Sequence, residues 1–220
     1  RSFENYENID FWTPGDIEIG VDVAGGTGRD QSSIAVRNGN KIIYTESFDL
    51  KAHDLIAKIK EIHYQFNSSL IKIERDAIGK PIFDILENDG LPVVGIQAGG
   101  GPGNQGDYSI DAEQKNELKK KMFNKKRDEM CWNIRELLSP AYNENPILLP
   151  VDAELKRQMS AYSYKKMPNG KILISSKDDL RKLLKKSPDK FDAIVIAFAD
   201  SDGCDILRND GTEWITFSGR

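Results

Sequence analysis

The sequence has 220 residues, 39% hydrophobic and 30% charged, which gives apolar material for one substantial core inside a charged surface. No run approaches the roughly 20 apolar residues that span a bilayer, so a membrane-spanning helix is not expected. The net charge of −4 argues mildly against a dedicated nucleic-acid-binding protein, although the charge is unevenly spread.

The chain opens on Arg1 rather than Met, so we expect a fragment or a processed product, and no signal peptide is visible. Residues 1–15 lack periodicity but carry Phe3, Tyr6, Phe11 and Trp12, which reads as a linker or arm. At 17–24, Ile17, Ile19, Val21 and Val23 alternate with other residues, the mark of a strand with one packed face. The Gly-rich loop AGGTGRDQSS follows. Strands are expected at 33–37 and 41–48, with Asn38-Gly39 as the hairpin turn. Three strands joined by short turns make an antiparallel meander.

A helix follows at 52–66, with Leu55, Ile56, Ile59, Ile62 and Phe66 at helical spacing. A short strand at 70–74, a helix at 80–88 and another strand at 92–97 suggest parallel pairing after the meander. Residues 98–106, AGGGPGNQG, read as a mobile loop. It is not a Walker phosphate loop, since no Gly-Lys-Ser/Thr follows. One long helical region is expected at 112–138 and a short helix at 152–159. Strands at 160–166 and 171–175 flank Pro168-Asn169-Gly170 as a second hairpin. Helices are expected at 177–185 and 188–199, the latter started by Ser187-Pro188. The tail from 203 is polar apart from a marginal strand at 214–217.

Three acids carry the chemical argument. Asp22 closes the first strand and Asp76 follows the fourth. Parallel pairing of those strands puts both acids at one sheet edge. Glu74 shares the face of Asp76 by period two and is the rival second acid. Asp192, Val195, Ile196 and Ala199 fall at i, i+3, i+4 and i+7, so Asp192 sits on the apolar, inward face of the last helix. A buried, unpaired carboxylate needs a cation or a donor beside it. Asp189, one turn earlier, favours the helix N-terminus electrostatically.

Oxygen ligands with no His or Cys cluster select Mg²⁺ or Mn²⁺ over zinc. Two such ions can activate water and stabilise the leaving oxygen in phosphodiester hydrolysis. His53 and His63, ten residues apart, read as ordinary residues. Cys131 and Cys204 read as reduced thiols with no ligand spacing. The basic run at 115–127, KNELKKKMFNKKR, is either a solvated helix face or a phosphate-contacting surface.

The segments GVDVAGGTGRDQSSIAV, IERDAIGKPIFDIL and KSPDKFDAIVIAFA resemble the three acidic motifs of the ribonuclease H-like nuclease domain of phage and prophage terminase large subunits. SPDKFDAIVIAF is the most specific block. The stretch LKRQMSAYSYKKMPNGKILISSKDDLRKLLKKSPD resembles the family's hairpin-and-helix lead-in. The resemblance implies an α/β fold over 16–202, with 203–220 as a C-terminal tail. The fold would be a ribonuclease H-like mixed sheet, an antiparallel three-strand meander plus parallel strands, flanked by helices and carrying an added β-hairpin. It implies an endonuclease that uses two Mg²⁺ or Mn²⁺ ions to cut concatemeric double-stranded viral DNA during genome packaging. By motif position Asp22, Asp76 and Asp192 hold the metal, and Asp30 matches a less constant acid in the first loop.

Two departures from the family stand out. No Walker motif of an ATPase half is present, and the second motif reads DAIGKP rather than Asp-Ala-Thr-Gly, which keeps Glu74 in contention. The implied partners are the ATPase motor domain of the same protein, the portal and the small terminase subunit, in the cytoplasm of an infected or lysogenic bacterial host. Contact with DNA would fall to local basic patches at 115–127, Lys165-Lys166 and Lys185-Lys186. Three other readings compete. A sugar-kinase or actin-like ATPase shares the turn Asp22-Val23-Ala24-Gly25-Gly26-Thr27, a Holliday-junction resolvase shares the fold and metal chemistry, and an inert docking module would bind portal or DNA.

Overall fold

Alternation along the first strand decides the architecture. In the computed structural model, which describes residues 13–24, 30–103 and 110–200, β1 (Ile17–Asp22) turns Ile19 and Val21 to one side of the sheet. Its other side carries Glu18, Gly20 and Asp22. β2 (Ser32–Asn38) and β3 (Lys41–Phe48) pair antiparallel with it as the expected meander. The hairpin turn is Gly39-Asn40, one residue later than the sequence suggested, because β2 stays paired through Asn38. Gly39 has φ +57°, and a Cβ there would meet the Thr13 carbonyl oxygen, so glycine is required on both counts.

α1 (Ala52–Phe66), β4 (Leu70–Glu74), α2 (Gly79–Asn88) and β5 (Val93–Ile96) follow. β4 pairs parallel with β1 and β5 parallel with β4, giving a five-stranded sheet in the order β3-β2-β1-β4-β5. The apolar stripes of α1 and α2, with Leu55, Ile59, Ile62, Ile82 and Leu86, close over Ile19, Val21, Ile34, Val36, Ile71 and Ile73. That buries the centre of one face of the sheet.

The opposite face is covered chiefly by α7 (Asp189–Ala197), with α3 (Ile110–Met122), α4 (Lys126–Leu137), α5 (Ala153–Ala161) and α6 (Lys177–Leu184) around it. α7 lies directly on β1 at Gly20, where a Cβ would stand 2.2 Å from the Ala193 carbonyl oxygen and 2.3 Å from the Ala197 nitrogen. At the far end of α7, Lys72 Nζ donates to the carbonyls of Ala197 and Ala199 at 3.3 and 2.6 Å. Arg37 Nε donates to Ala197 at 3.0 Å. Glu18 bridges both cations, at 2.6 Å from Lys72 and 2.8 Å from Arg37, and offsets one of their two charges. Positive groups therefore meet the negative end of the helix dipole and anchor α7 across the sheet.

The long helix expected at 112–138 is broken into α3 and α4. Phe123 bridges to Ile172, Lys125 turns extended, and Asp128 Oδ2 accepts the Lys125 N–H at 3.2 Å. The first N–H groups of α4 then bond Gly100 and Ala98 in the loop after β5. The hairpin is present as β6 (Tyr164–Lys166) and β7 (Ile172–Ile174). Both strands are shorter than expected, and the first starts later because α5 continues through Ser160 and Ala161. The arm at 1–12, Cys204 and the strand expected at 214–217 lie outside the described residues.

Candidate active site

Gly20 lets α7 touch the sheet, and the pleat does the rest. Asp22 stands two residues beyond Gly20 on the same face, and Asp192 immediately precedes Ala193 on the helix above it. The register pairs Val21 with Ile73, so Glu74 at the end of β4 lies beside Asp22 on the neighbouring strand. Three carboxylates from three elements converge there. Lys177, the first residue of α6, places its ammonium among them, 3.5 Å from Asp22 Oδ1, 3.4 Å from Glu74 Oε2 and 3.6 Å from Asp192 Oδ2.

Asp22 and Asp192 are buried. Burial pushes the Asp22 carboxyl well above the usual carboxylate range; Lys177 opposes the shift, while Asp192 and Glu74 reinforce it. Burial acts against the Lys177 ammonium, yet the three acids together raise its pKa and keep it charged. Asp192 Oδ1 accepts a 2.5 Å hydrogen bond from the Tyr162 hydroxyl, whereas Oδ2 is buried with no hydrogen-bond partner.

The other acids singled out in the sequence have different contacts. β4 ends at Glu74, and the last ladder bond runs from the Arg75 N–H to Ile96. The chain then turns through Ala77, φ +44°, and Asp76 Oδ2 accepts the Gly99 N–H at 2.7 Å. Asp76 thus ties the loop after β5, and Glu74 is the acid of this segment that meets Lys177 beside Asp22. Asp30 is paired with Arg181 at 2.7 Å. Asp189 is buried, which raises its pKa, and it accepts the Gln31 N–H at 3.0 Å, fastening the loop after β1 to α7. His63 bonds Ser68 and His53 lies beside Asp54.

The basic groups divide. Lys165, Lys166 and Lys185 are exposed, whereas Lys186 pairs with Glu154. Within the run at 115–127, Lys126 is buried against Glu129 at 2.9 Å, Lys119 joins Glu129 and Asp200, and Arg127 donates to the Ser175 carbonyl. Part of that run is therefore internal structure rather than a solvated face.

The nuclease domain of the large terminase subunit of bacterial virus Sf6 superposes on this chain with a TM-score of 0.72 at 13% identity, covering 89% of this chain and 93% of that one. The large terminase nuclease of thermophilic phage G20c, crystallised with bound magnesium, gives 0.54 at 12% identity, covering 90% and 96%. The fold is that of the terminase nucleases. It is the ribonuclease H-like mixed sheet expected from the sequence. Structures of the Sf6 domain also exist with manganese and with calcium, and of the G20c domain with cobalt. Neither a protein-family model nor a curated protein matches the sequence.

In this chain's version of the terminase-nuclease fold, the donors suit a hard divalent cation: carboxylate oxygens from three elements, one of them buried with no hydrogen bond. Among the described residues no three Asp, Glu, His or Cys side chains are already gathered as a metal cage. The Lys177 ammonium stands between the three acids instead. Mg²⁺ binds oxygen at about 2.0–2.1 Å, so each carboxylate stands about 1.4 Å farther from the Lys177 nitrogen than it would from the ion. Lys177 carried one sequence signal, a cation in the first turn of a helix, where the dipole favours acids. Nothing in the sequence tied it to Asp22 and Glu74, 155 and 103 residues away.

Proposed function

We propose that this chain is a Mg²⁺- or Mn²⁺-dependent endonuclease that cuts double-stranded DNA during viral genome packaging. The observation that carries the reading is the convergence of Asp22, Glu74 and Asp192 on one cation, with Asp192 Oδ2 facing that cation and accepting no hydrogen bond. The terminase-nuclease fold supports it.

Asp22, Glu74 and Asp192 are the residues that would hold the metal, replacing the single charge of Lys177 with a larger one. Two divalent ions there would supply an activated water and charge stabilisation at the leaving oxygen of a phosphodiester. Lys177 keeps the three acids together beforehand and must withdraw; its side chain is 30% exposed, so the route to solvent is open. Burial of Asp22 and Asp192 keeps bulk water from screening the site. Asp76 fixes Gly99 and with it the loop that receives the start of α4. Lys165 and Lys166 stand exposed on the hairpin and would draw the DNA backbone toward an otherwise acidic cleft. By the same reading the chain works beside an ATPase motor domain of the same protein, the portal and the small terminase subunit, in the cytoplasm of the bacterial host. Among the described residues no helix is long and apolar enough to cross a membrane.

The test is nicking of supercoiled plasmid with Mg²⁺ or Mn²⁺, with EDTA as control. Cleavage by the parent chain and its loss in Asp22→Ala and Asp192→Ala is the expected result. Cleavage that survives EDTA, or both substitutions, overturns the reading. ATP binding without cleavage would favour the actin-like alternative.

A further inference from the structure

Tyr162 follows α5 in an extended conformation, and its ring is wedged on two sides. Phe191, the residue before Asp192, meets it edge-on at 4.9 Å between centroids and 76° between planes. The guanidinium of Arg127 lies 5.6 Å from the ring centroid on another side. Arg127 is itself pinned, donating through Nη1 to the Ser175 carbonyl at 2.8 Å. Held this way, the phenol delivers its hydroxyl to Asp192 Oδ1 at 2.5 Å, and the carboxylate presents Oδ2 toward Asp22, Glu74 and Lys177.

We propose that Tyr162 is a positioning residue that sets ion choice: by occupying Oδ1 it confines Asp192 to one-oxygen ligation through Oδ2. The inference rests on the reading that the cluster holds a divalent cation. Its chemical consequence follows from how the ions differ. Mg²⁺ demands near-octahedral geometry with short single-oxygen bonds, while Ca²⁺ takes six to eight oxygens and welcomes two-oxygen carboxylates. A carboxylate with one oxygen committed to a phenol therefore penalises Ca²⁺ more than Mg²⁺ or Mn²⁺. Tyr162 adds a donor from outside the ligand set, the kind of contact whose removal changes metal affinity by about 10–100-fold.

Tyr162→Phe tests this, since it deletes the hydroxyl and keeps the ring between Phe191 and Arg127. Isothermal titration of the parent and the variant with Mg²⁺, Mn²⁺ and Ca²⁺ gives three affinities each, with no DNA present. The ratio of Ca²⁺ to Mg²⁺ affinity is expected to rise by about tenfold in the variant. A variant that had merely loosened its fold would lose affinity for all three ions alike, so the ratio separates positioning from structure. An unchanged ratio, with the parent binding metal, overturns the role of Tyr162 and leaves the metal reading intact. A parent that binds none of the three ions overturns the metal reading and this inference with it.

Discussion

Truncating Lys177 to Ala removes the cation that holds three acids in a small buried space. At an effective dielectric of about 20, one contact near the observed 3.5 Å is worth about 5 kcal/mol before desolvation is counted. Desolvation of the ammonium and repulsion among the acids offset much of the sum. Breaking a buried ion pair from one side costs about 3–5 kcal/mol. Because Lys177 is 30% exposed, the low end applies, about 3 kcal/mol. For a chain of this length, that lowers the melting temperature of the metal-free protein by about 6–12 °C. The acids can escape part of the cost by taking up a proton, so the measurement belongs at pH 8 in EDTA. A divalent ion at 100 times its dissociation constant then restores about 2.7 kcal/mol, nearly the whole loss. The parent gains less from the same ion, because Lys177 must first be displaced. Calorimetric melting with and without Mg²⁺ or Mn²⁺ reads both effects. A metal-free variant that melts with the parent, or that gains nothing from metal, would refute the idea that Lys177 stands in for a cation.

Glu74→Gln should lower plasmid nicking by more than about 100-fold, while Asp76→Asn lowers it by less than about tenfold; the reverse order returns the second metal position to Asp76. Gly20→Ala drives a Cβ against the α7 backbone and should destabilise the fold by about 2–3 kcal/mol, read from urea midpoints, and an unaltered midpoint would mean that α7 shifts freely over β1. The raised Asp22 carboxyl gives a pH signature. Its folded form binds the proton more tightly than the unfolded chain, whose pKa is about 3.9, so its contribution to metal-free stability falls as pH rises from there through the folded value. Asp22→Asn should flatten that slope and raise the neutral-pH urea midpoint; an identical slope in both proteins would refute it.

Much of the fold could be read directly because it depends on local periodicity. Alternation at Ile17, Ile19 and Val21, the Gly39 turn and the stripes of α1 and α2 are short-range patterns, and the mixed sheet follows from them. The break between α3 and α4 could not be read in this way. No proline or glycine marks it; it arises where Phe123 meets Ile172 and the loop after β5 takes up the first N–H groups of α4. That is a contact between distant segments, so no local window contains it.

The site divides along the same line. Asp22 and Asp192 stand out in the sequence as acids at the end of an apolar strand and on the inward face of an apolar helix, where a carboxylate is costly unless it has a partner. Between Glu74 and Asp76 motif position favours Asp76, and period two keeps Glu74 as its rival, because it puts both on one face of a strand that continues. Only the tertiary structure decides where that strand stops: the ladder ends at Arg75, the backbone turns at Ala77, and Asp76 leaves for Gly99. Lys177 and Tyr162 are decided the same way. A lysine and a tyrosine gain a role when the fold carries α6 and the end of α5 to the carboxylates, and no spacing along the chain encodes that approach.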